Sequence, residues 1–263
     1  MDYFPCHNRL PALICKSLLL NLVHFLYRKD EFEELHVSLK DPKDVFHYHI
    51  GEVAQQAHFK VAVTGAGISK PSGLPLLSDS IDGIPLQRFF DGSLFEYDTE
   101  QFYSSYRKIL RRFLQAAPNP AHLSLATSDT WVITQNIDGL HRLAGSKHVL
   151  EMHGNIRELL CTGCGLVESS ERALHYGVPR CPNCTAVLHP GIVLAGETVR
   201  HVSRAVDWAG RAELLFIIGT RLTADPVRQI PDIVEDTVPV VEINQNAEVL
   251  LPMILGQEHC EAN

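Results

Sequence analysis

The sequence predicts an α/β fold: a Rossmann-like parallel sheet with helices on both faces, carrying a small inserted zinc-ribbon and helical module. Three observations carry that expectation. Short apolar runs, above all Trp131 to Thr134, stop abruptly at polar and ionisable side chains, as parallel strands do where their carboxyl ends meet a ligand. An earlier run, Val61 to Val63, opens onto a glycine turn containing Gly65 and Gly67. Two CxxC pairs, Cys161/Cys164 and Cys181/Cys184, are separated by residues 165–180, a spacing suited to a metal ribbon.

Composition bounds the rest. A chain of 263 residues with 45% hydrophobic side chains suits one large domain, or a domain with an insert. The formal charge of -8 argues against direct binding of nucleic acid, which requires Lys and Arg to neutralise phosphates. The same charge would attract basic protein tails, histone tails among them. Of the seven cysteines, four form the CxxC pairs and Cys6, Cys15 and Cys260 lie near the termini. That pattern suits a reducing compartment and a metal rather than a disulfide frame.

Taken in order, Leu10 to Tyr27 is the most apolar segment, and Lys16, Asn21 and His24 interrupt it. It reads as an amphipathic helix packed on the domain, with organelle targeting or a membrane-surface role as the alternative. Val45 to Lys60 is expected as a helix leading into the strand Val61 to Val63. Gly65 and Gly67 then let the backbone turn tightly and approach a pyrophosphate. Gln101 to Ala117 places Phe102, Tyr106, Ile109, Leu110, Phe113 and Leu114 at helical spacing, which marks a packing helix. Pro118-Asn119-Pro120 ends it, and Ala121-His122-Leu123 starts the next.

After the strand Trp131 to Thr134 come Gln135, Asn136, Asp138, His141 and Arg142, and later Glu151 and His153. Amides and carboxylates at such a strand end can grip ribose hydroxyls and a carboxamide, and His153 can take a proton near neutral pH. The four CxxC thiolates close a tetrahedral zinc site with no open position, so the metal is expected to be structural. Leu188 to Leu194 is expected to return to the sheet. Ala212 to Ile218 and Val238 to Ile243 are the last strands, followed by Gly219-Thr220 and Asn244 respectively, and the tail from Leu250 reads as a short helix.

The block QNIDGLH at residues 135–141, followed by Ala144-Gly145 and Glu151-Met152-His153-Gly154, resembles the catalytic stretch of the sirtuins, the NAD-dependent protein lysine deacylases. Thr64-Gly65-Ala66-Gly67-Ile68-Ser69 resembles that family's phosphate-binding loop. With Asn119-Pro120-Ala121-His122, Gly219-Thr220 and the four cysteines, the likeness spans roughly Val61 to Asn244. It implies an NAD site formed by Gly65, Ala66, Gly67, Ile68, Ser69, Gln135, Asn136, Ile137, Asp138, Gly219, Thr220 and Asn244. It also implies His153 as base, with Asn136 and Asp138 as catalytic partners, and one structural zinc on Cys161, Cys164, Cys181 and Cys184. His122 is assigned a structural role. The implied substrate is an acyl-lysine protein or peptide, whose acyl group passes to ADP-ribose as nicotinamide leaves. No direct nucleic-acid or membrane partner is expected, and the setting is intracellular, nucleus or cytoplasm ahead of mitochondrion.

The resemblance divides the chain into an N-terminal helical extension (1–45), an NAD-binding domain (46–157 and 188–263, with 70–118 as cofactor loop and helical part of the small domain) and a zinc module (158–187). Three positions depart from the family. Leu77 stands in place of an aromatic ring over the nicotinamide ribose, Ser78 in place of an arginine, and Ala195 in place of the phenylalanine that lines the acyl-lysine tunnel. Arg88 and Arg221 are candidates to restore the missing charge. These departures keep two alternatives open: an ADP-ribosyltransferase or NAD glycohydrolase, and a regulatory protein that binds NAD or ADP-ribose without turnover.

Overall fold

The computed structural model describes residues 50–90 and 92–256. The expected N-terminal extension, the apolar run Leu10 to Tyr27, and Cys6, Cys15 and Cys260 lie outside them. Eight strands organise the chain: β1 (Lys60–Thr64), β2 (Trp131–Thr134), β3 (Val149–Glu151), β4 (Gly154–Leu160), β5 (Val167–Ser169), β6 (His189–Ile192), β7 (Leu214–Ile218) and β8 (Val240–Ile243). A two-residue ribbon, Ser80–Ile81 with Ile84–Pro85, is set apart from them.

The main sheet has five strands in the order β8-β7-β1-β2-β3, and every pairing is parallel. From β1 the chain builds outward through β2 and β3, then crosses to the other side of β1 for β7 and β8. The crevice beyond the carboxyl ends of β1 and β7 is therefore the switch point where open α/β sheets bind ligands. Alternation along the strands gives two apolar faces. Val61, Val63, Ile133, Leu215 and Ile217 pack with Trp208 and Ile230 on one side. Ala62, Val132, Phe216 and Val241 pack with Ile50, Leu125 and Leu251 on the other. Burial on both faces explains why these strands read as continuous apolar runs.

Residues 50–56 are helical and Lys60 already belongs to β1, so the helix expected to run to Lys60 stops short. Helix α1 (Thr99–Gln115) starts where Asp98 accepts a hydrogen bond from the Gln101 amide, and it buries Phe102, Tyr103, Tyr106, Ile109, Leu110 and Phe113. Helix α2 (Pro120–Thr127) is capped by Asn119, whose side chain accepts from the Ala121 amide, with Pro120 at the first turn where no amide is needed.

The second sheet is antiparallel, in the order β5-β4-β6. This corrects the expectation for Leu188 to Leu194, since the strand there pairs with β4 instead of rejoining the parallel sheet. An apolar run specifies burial but not its partner. The small unit consequently draws on strands from both sides of the expected 158–187 insert. Its core merges with α1: Tyr106 Oη donates to the Ile156 carbonyl at 2.9 Å and Tyr103 Oη donates to the Leu188 carbonyl. Phe102, Leu159, Leu188, Cys161 and Cys181 share one apolar cluster.

Candidate active site

The site starts from two glycines pressed together. β1 ends at Thr64, and the turn Gly65 to Ser69 follows. The Gly67 amide donates to the Gly219 carbonyl at 2.9 Å. A Cβ on Gly67 would lie 2.6 Å from Gly219 Cα, and one on Gly219, whose φ is +61°, would lie 2.3 Å from the Ile68 nitrogen. Only glycine tolerates that approach and that φ. The turn after β1 is thereby clamped to the loop after β7.

The polar residues after β2 fold over this turn. Asn136 Nδ2 donates to the Gly65 carbonyl (3.1 Å) and to Ser69 Oγ (3.2 Å), and its Oδ1 has no hydrogen-bond partner among the described residues. Ser69 Oγ in turn donates to Asp138 Oδ2 at 2.7 Å, and the Leu140 amide donates to Asp138 Oδ1 at 2.8 Å. Asp138 is 3% exposed. Burial pushes its carboxyl pKa up, while the bonds from Leu140 and Ser69 and the nearby Arg157 charge work against that rise. Gln135 Oε1 accepts from Thr220 Oγ1 at 2.8 Å, a second tie between the β2 and β7 ends.

His153 follows β3. Its Nδ1 lies 2.9 Å from the Gln135 carbonyl, and a carbonyl only accepts, so Nδ1 carries the proton. Nε2 is left with its lone pair and has no protein partner among the described residues. Burial lowers the His153 pKa, and the bond to Gln135 partly opposes the shift, so the ring is neutral at pH 7. Glu151 plays a different part. It is buried, accepting from Arg142 Nε (2.9 Å) and Asn155 Nδ2 (2.8 Å), and it does not border the cleft.

Ala66, Ser69, Gln135, Asn136, Ile137, Asp138 and His153 share the wall of one cleft of about 370 Å³. Gly65, Gly67, Ile68, Gly219 and Thr220 stand directly behind that wall through the contacts above. Asn244 is exposed just past β8 and is not part of it. Arg88 and Arg221 are exposed and absent from the lining of this cleft. Leu77 and Ala195 do border it.

His122 does more than cap α2. The Asn119 amide donates to its Nδ1 (3.3 Å), so its Nε2 carries the hydrogen and faces Ser69 Oγ at 3.5 Å. Burial lowers its pKa to about 4, keeping it neutral. His141 packs against it and is wholly buried, with Nε2 2.9 Å from Thr64 Oγ1.

Sequence reasoning missed Arg157, which donates from Nε to the Asp138 carbonyl (2.8 Å) and from Nη2 to the Phe113 carbonyl (2.9 Å). It joins the β2 loop to the end of α1, and an isolated arginine in β4 carries no local signal of that. The apolar wall was also missed: Phe113 reads as a packing position of its helix, no reading was attached to Leu86 or Phe90, and periodicity does not separate core from cleft.

The four cysteine sulfurs lie within 4.8 Å of one another. Cys161 and Cys184 sulfurs are 3.3 Å apart and those of Cys164 and Cys181 3.6 Å. Tetrahedral thiolates at the usual Zn–S length would sit about 3.8 Å apart, so the set fits one zinc ion. Four ligands leave no open position for catalysis.

The sequence profile of the Sir2 family matches residues 65–226. The NAD-dependent protein deacylase of Pyrococcus furiosus is 34% identical over 225 residues, covering 78% of this chain and 90% of the relative. The NAD-dependent protein deacetylase of Sulfurisphaera tokodaii is 37% identical over 196 residues, 69% of this chain and 77% of its own. Among solved structures, Sir2Tm bound to a propionylated peptide superposes with a TM-score of 0.67 at 30% identity, covering 80% of this chain and 97% of that one. A Sir2 homolog–NAD complex superposes with a TM-score of 0.72 at 26% identity, covering 84% and 95%.

Proposed function

The chain belongs to the Sir2 family, and from that premise we infer that it is an NAD-dependent protein lysine deacylase with one structural zinc ion. The observation that carries the reading is the base: His153 Nδ1 is engaged by the Gln135 carbonyl, which leaves Nε2 unprotonated in the same cleft as Asp138 and Asn136.

The donor set fits the cofactor. Asp138 keeps unused lone pairs on both carboxylate oxygens for a carboxamide, and Asn136 Oδ1 is free for a ribose hydroxyl or a water. NAD supplies an electrophilic ribose carbon and nicotinamide as leaving group. In balance, one acyl-lysine, one NAD and one water give lysine ammonium, nicotinamide and an acyl ester of ADP-ribose. His153 Nε2 accepts the proton of the ribose hydroxyl that becomes the ester oxygen, a role worth about two to four powers of ten in rate. Asp138 orients the carboxamide, and the apolar wall keeps stray water from the reactive carbon.

Among the described residues no helix is long and apolar enough to cross a membrane. We place the protein inside the cell, in nucleus or cytoplasm, because a four-cysteine metal set suits a reducing setting. Basic acylated tails, those of histones included, suit the charge of -8. Incubation with NAD and a panel of acylated peptides tests the activity: nicotinamide and free lysine are expected in equal amounts. Zinc-loaded protein that releases no nicotinamide with any peptide would refute it.

One observation favours a second reading. Leu77 is 54% exposed at the mouth and covers the cleft less than a ring would, which favours water or another nucleophile as acceptor. NAD hydrolysis or ADP-ribosyl transfer would release nicotinamide without acyl-peptide, and a strictly peptide-dependent rate excludes it.

A further inference from the structure

Resting on the deacylase reading, we propose that the cleft selects aliphatic acyl groups longer than acetyl and rejects acyl groups that end in a carboxylate. The transferred group must pass the mouth and lodge beside His153. Leu86, Phe90, Phe113, Ile137, Val193 and Leu194 line the cleft with carbon. The segment after β6 is pinned in place: the Val193 amide donates to the His153 carbonyl at 2.8 Å and the Ala195 amide to the Phe90 carbonyl at 3.0 Å. This backbone fixes position 195 at the lip, and there the chain supplies only a methyl group. Next to it Gly196 has open space, with nothing within 4 Å of where a Cβ would stand. Leu77, which also borders the cleft, is aliphatic and half exposed. Most of the side chains that line the cleft are therefore apolar.

Charge decides the second half of the proposal. The ionisable groups that border the cleft are His153, Asp138 and Glu197, and among the described residues neither lysine nor arginine lines it. An acyl chain carrying its own carboxylate would lose hydration, meet Asp138 and Glu197, the latter already paired with His189 Nε2 at 2.9 Å, and find no lysine or arginine in the lining. A chain of plain methylenes meets only carbon. The chemistry is the same for every acyl group: the acyl carbon leaves the lysine nitrogen for a ribose oxygen, nicotinamide departs, and one water balances the products. Only the burial of the chain differs.

Each methylene taken from water into such a wall is worth roughly a fourfold gain in kcat/KM until the space is filled. The test is a single peptide carrying acetyl-, butyryl-, hexanoyl- or glutaryl-lysine, assayed with the zinc-loaded protein for released nicotinamide and deacylated peptide. Hexanoyl is expected to exceed acetyl at least tenfold in kcat/KM, and glutaryl, of similar reach, to fall at least tenfold below hexanoyl. Equal rates for acetyl and hexanoyl, or a faster glutaryl reaction, would overturn the proposal while leaving the deacylase reading intact. Silence with all four peptides would remove both. Two variants locate the effect. Ala195→Phe should cut the hexanoyl-to-acetyl ratio about tenfold, and Leu77→Arg should raise glutaryl relative to hexanoyl. Unchanged ratios in both would show that these lips do not set the choice.

Discussion

Replacing Gly67 by alanine tests the clamp on which the cofactor turn depends. The new Cβ would stand 2.6 Å from Gly219 Cα and 2.7 Å from the Gly219 carbonyl oxygen. Both are backbone atoms, so no side-chain rotation relieves the contact, and one of the two loops must move. Overpacking of this kind costs about 1–3 kcal/mol. At roughly 2–4 °C per kcal/mol for a domain of this size, Tm should fall by about 2–12 °C. The displacement also lengthens the bonds from Asn136 Nδ2 to Gly65 (3.1 Å) and to Ser69 (3.2 Å), which have little slack. Losing one such bond is worth about 1 kcal/mol, so NAD affinity should drop roughly five- to tenfold. Gly177→Ala is the control: its φ is +89° with open space around it, so backbone strain is its only cost. It should lower Tm and spare NAD binding. Calorimetry and NAD titration on all three proteins give the answer. A Gly67→Ala protein with wild-type Tm and NAD affinity would refute the clamp.

Other consequences are as direct. His153→Ala should lower kcat by about 10²–10⁴, read as nicotinamide release with saturating peptide. In the wild type the imidazole must be neutral to act, and burial lowers its pKa from the usual 6.5, so activity should persist below that pH and fail on further acidification. An acid limb centred above 6.5 would contradict the assignment. Removing zinc with a chelator, or Cys161→Ser, should unfold the β4–β5–β6 unit and abolish most deacylation, although the sulfurs are absent from the cleft wall. Fully active, zinc-free protein by metal analysis would count against this. Arg157→Ala frees the carbonyls of Asp138 and Phe113 from a cationic donor and should destabilise the fold by about 2–3 kcal/mol in urea. Arg157→Lys should recover only part of that, because an ammonium lacks the fork that spans both carbonyls.

Much of this was legible in the sequence for a local reason. The central strands β1, β2 and β7 are buried on both faces, so they read as uninterrupted apolar runs, whereas edge strand β8 carries Glu242 and is half-buried at alternate positions. Gly65 and Gly67 follow a strand, and CxxC spacing is itself a ligand geometry. What escaped depends on partners distant in sequence. Leu188 to Leu194 is as apolar as a central strand, yet Gly191 fits β4 because a Cβ there would lie 2.6 Å from the Asn155 carbonyl oxygen, a contact invisible without the pairing. His122 was assigned a structural role, but its approach to Ser69 needed the turn after β1 and α2 to be brought together. Arg88 and Arg221 illustrate the converse. Charge can be read from the chain, whereas the direction in which a long side chain leaves its loop is settled by what packs beneath it.

The placement of His153 shows why the two sheets act as one device. Parallel register sets Thr64 level with Thr134, and Thr134 level with Glu151, so the turn at Gly65, the amides after β2 and His153 after β3 emerge at the same edge. A slip of one residue would turn those side chains to the opposite face. β4 begins at Gly154, immediately after the base, and there φ is +79° and a Cβ would come 2.2 Å from the Gly191 carbonyl oxygen. His153 therefore sits on the hinge between the parallel sheet and the sheet that carries the cysteines: its ring is held by Gln135 from one and its carbonyl by Val193 from the loop after the other. A metal whose sulfurs lie outside the cleft wall thus reaches the chemistry through β4 and β6, by fixing the strand pair that holds the imidazole against the Gln135 carbonyl.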